Sequence, residues 1–155
     1  MSNKLELKLQ VKDNLVTVQF KGSIDEDATF QEIEKIKANQ YNFDFEELKM
    51  INSCGIREWI KFIEKLPATA KVIYQKCPQI IIEQMNMVHG FIRKGAEIES
   101  FYAPYYDEES DTEHKILLNT ADIKNGKAPK IKSPDSGKEM EFDAIEDQYL
   151  RFLKK

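Results

Sequence analysis

The chain has 155 residues with a formal charge of −4, enough for one ordinary domain or a small domain plus an appendage, with a core that needs no disulfides. Its acidic balance, with a pI of about 5.3, argues against a general affinity for nucleic acid or anionic membrane. The first residues carry no basic-then-apolar leader, apolar runs such as Ile80–Ile82 are far too short to span a bilayer, and Cys54 and Cys77 are too few for a disulfide scaffold, so the expected setting is cytoplasmic with no membrane insertion.

Leu5, Leu7, Leu9 and Val11 alternate with polar residues, the period of a half-buried strand. Asp13-Asn14 signals a turn, and the β-branched run 15–20 a second strand, so the two predict a hairpin. Gly22-Ser23-Ile24-Asp25 leads into a helical pattern with Phe30, Ile33 and Ile36 on one face. Asp25 is expected to cap that helix by accepting from a first-turn amide. Tyr41, Phe43 and Phe45 alternate again and, with residues 48–51, predict a third strand. After Asn52-Ser53-Cys54-Gly55 comes a second helix with Ile56, Trp59, Ile60, Ile63 and Leu66 as its apolar face, stopped by Pro67. A strand over 70–75, a third helix opened by Pro78 and carried by Ile82, Met85 and Val88, and a strand over 96–103 complete the order β-β-α-β-α-β-α-β. Such alternation predicts an α/β fold: a mixed β-sheet with helices packed on it, and parallel pairs where a helix crosses over.

The composition changes after Pro104. Five acids fall within 107–113, a lysine-rich stretch follows, and Asn125-Gly126 and Ser136-Gly137 carry turn chemistry. Short strands are predicted over 115–118, 130–132 and 139–142, then a helix over 143–155 through Ile145, Tyr149, Phe152 and Leu153. The expected domains are 1–103 and 104–155. The second is a small β-rich extension of the kind that needs a metal, a disulfide or a docking surface to stay folded.

Two stretches carry a family resemblance. Gly22-Ser23-Ile24-Asp25 is similar to the Gly-x-[Leu/Ile]-Asp that STAS domains place between their second strand and first helix. Asn52-Ser53-Cys54-Gly55-Ile56 is similar to that family's Asp-Ser-Ser/Thr-Gly-[Leu/Ile] before the second helix. With the element order, residues 1–103 resemble a STAS domain. The resemblance implies a binding module rather than an enzyme, with no cofactor. Its regulatory branch, the anti-sigma factor antagonists, docks onto a partner kinase; phosphorylation of the Ser/Thr before the glycine breaks the docking by adding charge to a fitted surface. The implied partner is a protein, an anti-sigma-type or other signalling kinase, met by Asp25, Asn52, Ser53, Cys54, Gly55, Arg57 and Glu58. The chain departs from the pattern at the switch, where Cys54 and Asn52 replace the phosphorylated residue and the leading acid. Cysteine is no substrate for a Ser/Thr kinase. Ser53, as helix cap, would turn its hydroxyl inward. The expectation is a docking surface that survives without its phospho-switch.

The extension resembles the zinc ribbon that follows the domain in some bacterial STAS-like proteins, Tyr-Cys-x-x-Cys … Cys-Pro-x-Cys-Gly-x-x-[Met/Leu]-x-Phe-Asp. Ser133-Pro134-Asp135-Ser136-Gly137 keeps the turn residues of the second knuckle. Asp107, Ser110, Ser133 and Ser136 fall on the four ligand positions, with 22 residues between the pairs. One carboxylate and three hydroxyls suit neither zinc nor calcium, and His114 adds a single nitrogen. The expectation is a degenerate ribbon with no metal, braced by packing Ile116, Leu118, Ile131, Phe142 and the terminal helix against the body.

The remaining chemistry-bearing residues read more plainly. Trp59 belongs to the core, with Arg57, Glu58 and Lys61 facing away. Tyr102, Tyr105 and Tyr106 read as packing between the two parts rather than base stacking. Lys124, Lys127, Lys130, Lys132 and Lys138 are offset by nearby acids and read as a solvated face, not a nucleic-acid site. Cys54 has the helix-N-terminal setting of a reactive thiol but no histidine near it in sequence, so it reads as a semi-buried turn residue, as does Cys77. Two other classes stay open: a small-molecule sensor of nucleotide or redox state, and a thiol-dependent enzyme.

Overall fold

A five-stranded sheet and a three-stranded sheet organise the computed structural model, which describes residues 4–154. The expectations for the leaderless start (residues 1–3) and for helix at Lys155 lie outside the described residues. β1 (Glu6–Lys12) and β2 (Leu15–Ile24) form the predicted antiparallel hairpin, which turns through Asp13 at φ 55°. β3 (Gln40–Ile51), β4 (Lys71–Gln75) and β5 (Glu97–Ile98) add in parallel, in the order β1-β2-β3-β4-β5. The crossovers carry α1 (Gln31–Glu34), α2 (Ser53–Glu64) and α3 (Gln79–Met87). The fold class is therefore the expected one, a mixed α/β sheet of mostly parallel strands with helices.

The alternation seen in the sequence sets the layers. Val16, Val18 and Phe20 of β2 and Tyr41, Phe43 and Phe45 of β3 are buried, while Gln19, Lys21 and Glu46 on the other face are exposed. α2 buries Trp59, Phe62 and Ile63 on the apolar face. Trp59 is the hub, its ring 5.4–6.1 Å from those of Phe20, Phe43, Phe45, Phe62 and Tyr74. A buried indole N–H needs an acceptor. Trp59 Nε1 finds the Phe91 carbonyl at 3.1 Å, and the Tyr74 hydroxyl donates to the same oxygen at 2.9 Å. α2, β4 and the segment after α3 are thereby tied together through one carbonyl.

Two expectations need correction here. α1 is only four residues long, and Phe30 precedes it with no side-chain cap. Asp25 does not cap it: its Oδ1 accepts from Asp27 N at 3.0 Å and its carbonyl from Ala28 N at 3.1 Å. The aspartate bonds its own backbone two residues on, the turn habit that competes with helix capping. The strand expected over 96–103 also divides. β5 ends at Ile98, and β6 (Ser100–Asp107) joins a second sheet with β7 (Thr112–Asn119) and β8 (Glu141–Phe142), antiparallel in the order β7-β6-β8. β6 runs straight through Pro104, whose carbonyl still accepts from Asp143 N at 2.8 Å. Its inward residues continue past the proline as Phe101, Ala103, Tyr105 and Asp107.

Beyond β6, residues 130–132 make only a bridge, Lys132 to Glu139, and the terminal helix is reduced to α4 (Glu146–Tyr149) followed by a 3₁₀ turn. Residues after Pro104 are tied to those before it: Phe101 meets Phe152 edge-on at 5.1 Å, Asn86 Nδ2 of α3 donates to the Tyr149 carbonyl at 3.0 Å, and the Tyr149 hydroxyl donates to the Tyr102 carbonyl at 2.6 Å. The Tyr102 hydroxyl in turn links β6 to β3 by donating to Glu46 at 2.6 Å. Leu118 is buried, and Ile116, Ile131 and Phe142 pack half-buried beside the core. Among the described residues no helix is long and apolar enough to cross a membrane.

Candidate functional site

The two stretches that resemble STAS motifs meet in space. β2 slips register against β3 between Gln19 and Lys21 and again between Gly22 and Ser23, where Gly22 takes φ 99°. The slips break the in–out alternation, so Ser23 and Ile24 are both buried. Ile24 is thereby set against the start of α2, with Asn52 N donating to its carbonyl at 3.2 Å. Gly55 lies so close that a β-carbon there would stand 2.0 Å from the Ile24 oxygen. Only glycine fits this approach.

Asn52, not Ser53, caps α2. Its side-chain oxygen accepts from Gly55 N at 2.8 Å, satisfying an orphan amide of the first turn. Its Nδ2 donates to Glu26 Oε2 at 3.0 Å, and this bond lowers the Glu26 pKa. Ser53 is the first helical residue and is exposed, which corrects the expectation of an inward-turned hydroxyl. Cys54 is exposed too, not semi-buried. The helix starts one residue earlier than a Ser53 cap would allow, and that rotates both side chains outward. Arg57 is exposed, and Glu58 is half-buried with Lys61 Nζ 3.5 Å away. Asp25, half-buried, and Glu26 lie beside this turn through the Asn52 bond.

Sequence reasoning missed two neighbours. Glu26 holds the second half of the Asn52 side chain. Met50, 44% exposed on β3, adds an apolar spot beside the turn. The signal for Met50 was present: alternation slips after Phe45, so that Leu48 goes inward and Lys49 and Met50 outward.

The four ribbon positions also converge. Asp107 is buried, and the Ser110 hydroxyl donates to its Oδ2 at 2.7 Å. Ser133 and Ser136 lie near the same carboxylate, and the three hydroxyls, Ser133 foremost, hold it well below the usual Asp range. Ser133 Oγ accepts from the amides of Asp135 at 3.0 Å and Ser136 at 3.4 Å, while Gly137 turns the chain at φ 75°. The donor set does not fit zinc. Ser110 spends its hydroxyl proton on Asp107, and neutral serine oxygens are poor ligands. Among the described residues no group of three or more His, Cys, Asp or Glu is placed to hold a metal ion. His114 on β7 bonds Asp135 of the 133–137 turn at 2.9 Å.

Elsewhere the site candidates disperse. Cys77 is fully buried, and burial pushes its thiol up. Neither histidine hydrogen-bonds to Cys54 among the described residues. Tyr105 donates to the Pro129 carbonyl inside the extension at 2.7 Å, and Tyr106 to Asp111 in its hairpin, so of the three tyrosines only Tyr102 reaches the first sheet through its hydroxyl.

No protein-family model and no curated protein matches the chain. Among solved structures it is similar to the crystal structure of an anti-sigma factor antagonist from Mycobacterium paratuberculosis, at 18% identity and a TM-score of 0.38, over 48% of this chain and 71% of that one. A likeness this loose carries no argument about function.

Proposed function

We propose that the chain is a non-enzymatic regulatory module that holds a protein partner on the surface of Asp25, Asn52, Ser53, Cys54, Arg57 and Glu58, with Gly55 as its structural pivot. The observation that carries this reading is the joint between the two STAS-like stretches. Gly55 sits against the Ile24 carbonyl while the cap residue Asn52 reaches back to Glu26. Nothing in the core requires the next outward residues to be Ser53, Cys54 and Arg57. They form an exposed, pre-ordered patch with Met50 beside it. A partner of the anti-sigma or signalling-kinase type fits the resemblance of these motifs.

Cys54 stands where that resemblance puts the phosphorylated residue, so binding should ignore a Ser/Thr kinase. With Ser53 exposed, this loss rests on Cys54 alone. The test is to isolate the complex, add ATP and kinase, and map phosphate. An intact complex with residues 52–55 unmodified supports the reading; release with phosphate on Ser53 overturns it.

The extension, in the same reading, is a ribbon whose metal has been replaced by the Asp107 carboxylate. What supports it is the convergence of all four ligand positions on that one group.

A further inference from the structure

The last turn of α2 and the loop from α3 to β5 enclose a cavity of about 720 Å³. That lies within the roughly 300–1,000 Å³ typical of small-molecule sites. Ile63, Val88, Ile92 and Ala96 supply apolar wall, and the charged or titratable lining is His89, Arg93 and Lys94 with a single acid, Glu64. Arg93 is anchored by one end: its Nη2 donates to the carbonyls of Leu66 and Pro67, just past α2. Its Nη1 is buried with no hydrogen-bond partner among the described residues. A buried, unpaired donor on a charged group is costly, and in native structures such groups are met by an acceptor on water, an ion or a ligand. The planar guanidinium is best complemented by carboxylate or phosphate oxygens. Gly90 and Gly95, at φ 88° and 85°, turn the chain on either side of the Arg93-Lys94 pair and keep both cations on one short loop.

We infer that this cavity binds a small amphipathic anion, an apolar body with one carboxylate or phosphate head. The head meets Arg93 and Lys94, and the body lies on Ile63, Val88, Ile92 and Ala96. The inference does not depend on the partner surface. That surface lies at the other end of α2, about 18 Å away along a twelve-residue helix.

Thermal unfolding of the full chain with octanoate, octyl phosphate, inorganic phosphate and octyltrimethylammonium tests it. A saturable rise in Tm with octanoate or octyl phosphate is expected, and the stronger of the two identifies the head group. Lys94→Glu, at an exposed position, should leave unfolding of the free protein unchanged and weaken binding about fivefold. Arg93→Gln should weaken it at least about tenfold. The inference is overturned if the cationic amphiphile or inorganic phosphate stabilises as well as the anionic amphiphiles do. It is equally overturned if no anion gives a saturable shift, or if Lys94→Glu binds as tightly as the parent.

Discussion

Gly55 and Ile24 meet backbone to backbone: a β-carbon on the glycine would stand 2.0 Å from the Ile24 carbonyl oxygen. That approach joins the end of β2 to the start of α2 and fixes the attitude of every residue in the proposed docking turn. Gly55→Ala must push the two segments apart. It should cost about 1–3 kcal/mol, the usual toll of overpacking, whereas Ser53→Ala on the exposed side should stay within about 0.5 kcal/mol. Urea melts of the two variants check this, and a Gly55→Ala protein as stable as the parent would contradict the close approach.

Asn52 works in two directions, as cap for Gly55 N and as donor to Glu26. Asn52→Ala should lose about 1 kcal/mol through the cap. Asn52→Asp keeps the cap and gains from the helix N-terminus, but sets two carboxylates together where a donor had been. Its stability at neutral pH should stay near that of the parent, and the Glu26 pKa should rise. Titration of Glu26 by NMR reads the second effect directly.

The convergence of Asp107, Ser110, Ser133 and Ser136 makes a strong demand on geometry. If these positions are a ribbon's ligand frame, cysteines at all four should form a tetrathiolate site at once. The quadruple variant Asp107→Cys, Ser110→Cys, Ser133→Cys, Ser136→Cys should bind one zinc per chain by metal analysis, and the parent none. Failure of the variant to bind zinc would sink the ribbon reading. Stoichiometric zinc in the parent would sink the metal-free one.

Asp107 also predicts a pH signature. Its folded pKa is depressed by the serine hydroxyls, Ser133 first. A depressed carboxylate contributes stability that is present in full above its unfolded value, about 3.9, and is lost as pH falls through the lower folded value. Asp107→Asn should therefore lower Tm by a few degrees at neutral pH. The gap between variant and parent should close as pH drops below about 4. A gap that persists unchanged to pH 2 would contradict the assigned role.

The periodic parts of the fold were legible before the structure. Alternation through Tyr41, Phe43 and Phe45 and the helical spacing around Trp59 gave the right elements in the right order, because both faces of each element differ sharply in polarity. Asp25 was not legible, since a turn-forming aspartate and a helix-capping one look alike in sequence. β6 was cut short because Pro104 reads as a breaker at a change of composition, with Asp107 taken into the ribbon-like extension. In fact the strand passes the proline, and the acid is buried among its own serine donors. At the proposed surface, the facing of the residues was not legible. Whether Ser53 and Cys54 point in or out turns on a one-residue difference in where α2 begins, and sequence resolves helix ends less finely than that. Cavity-lining Arg93 left no mark, because the carbonyls that anchor it are 26 and 27 residues away.

The central claim is that a protein partner sits on the 52–58 turn. Photo-crosslinking in living cells tests it most directly, with a benzophenone amino acid placed at Arg57 and, as control, at exposed Gln19 on the open face of the sheet. A discrete adduct with one protein from position 57, absent at position 19 and abolished by adding Cys54→Arg, is the predicted result. An adduct of equal yield from position 19, or none from position 57, would contradict it.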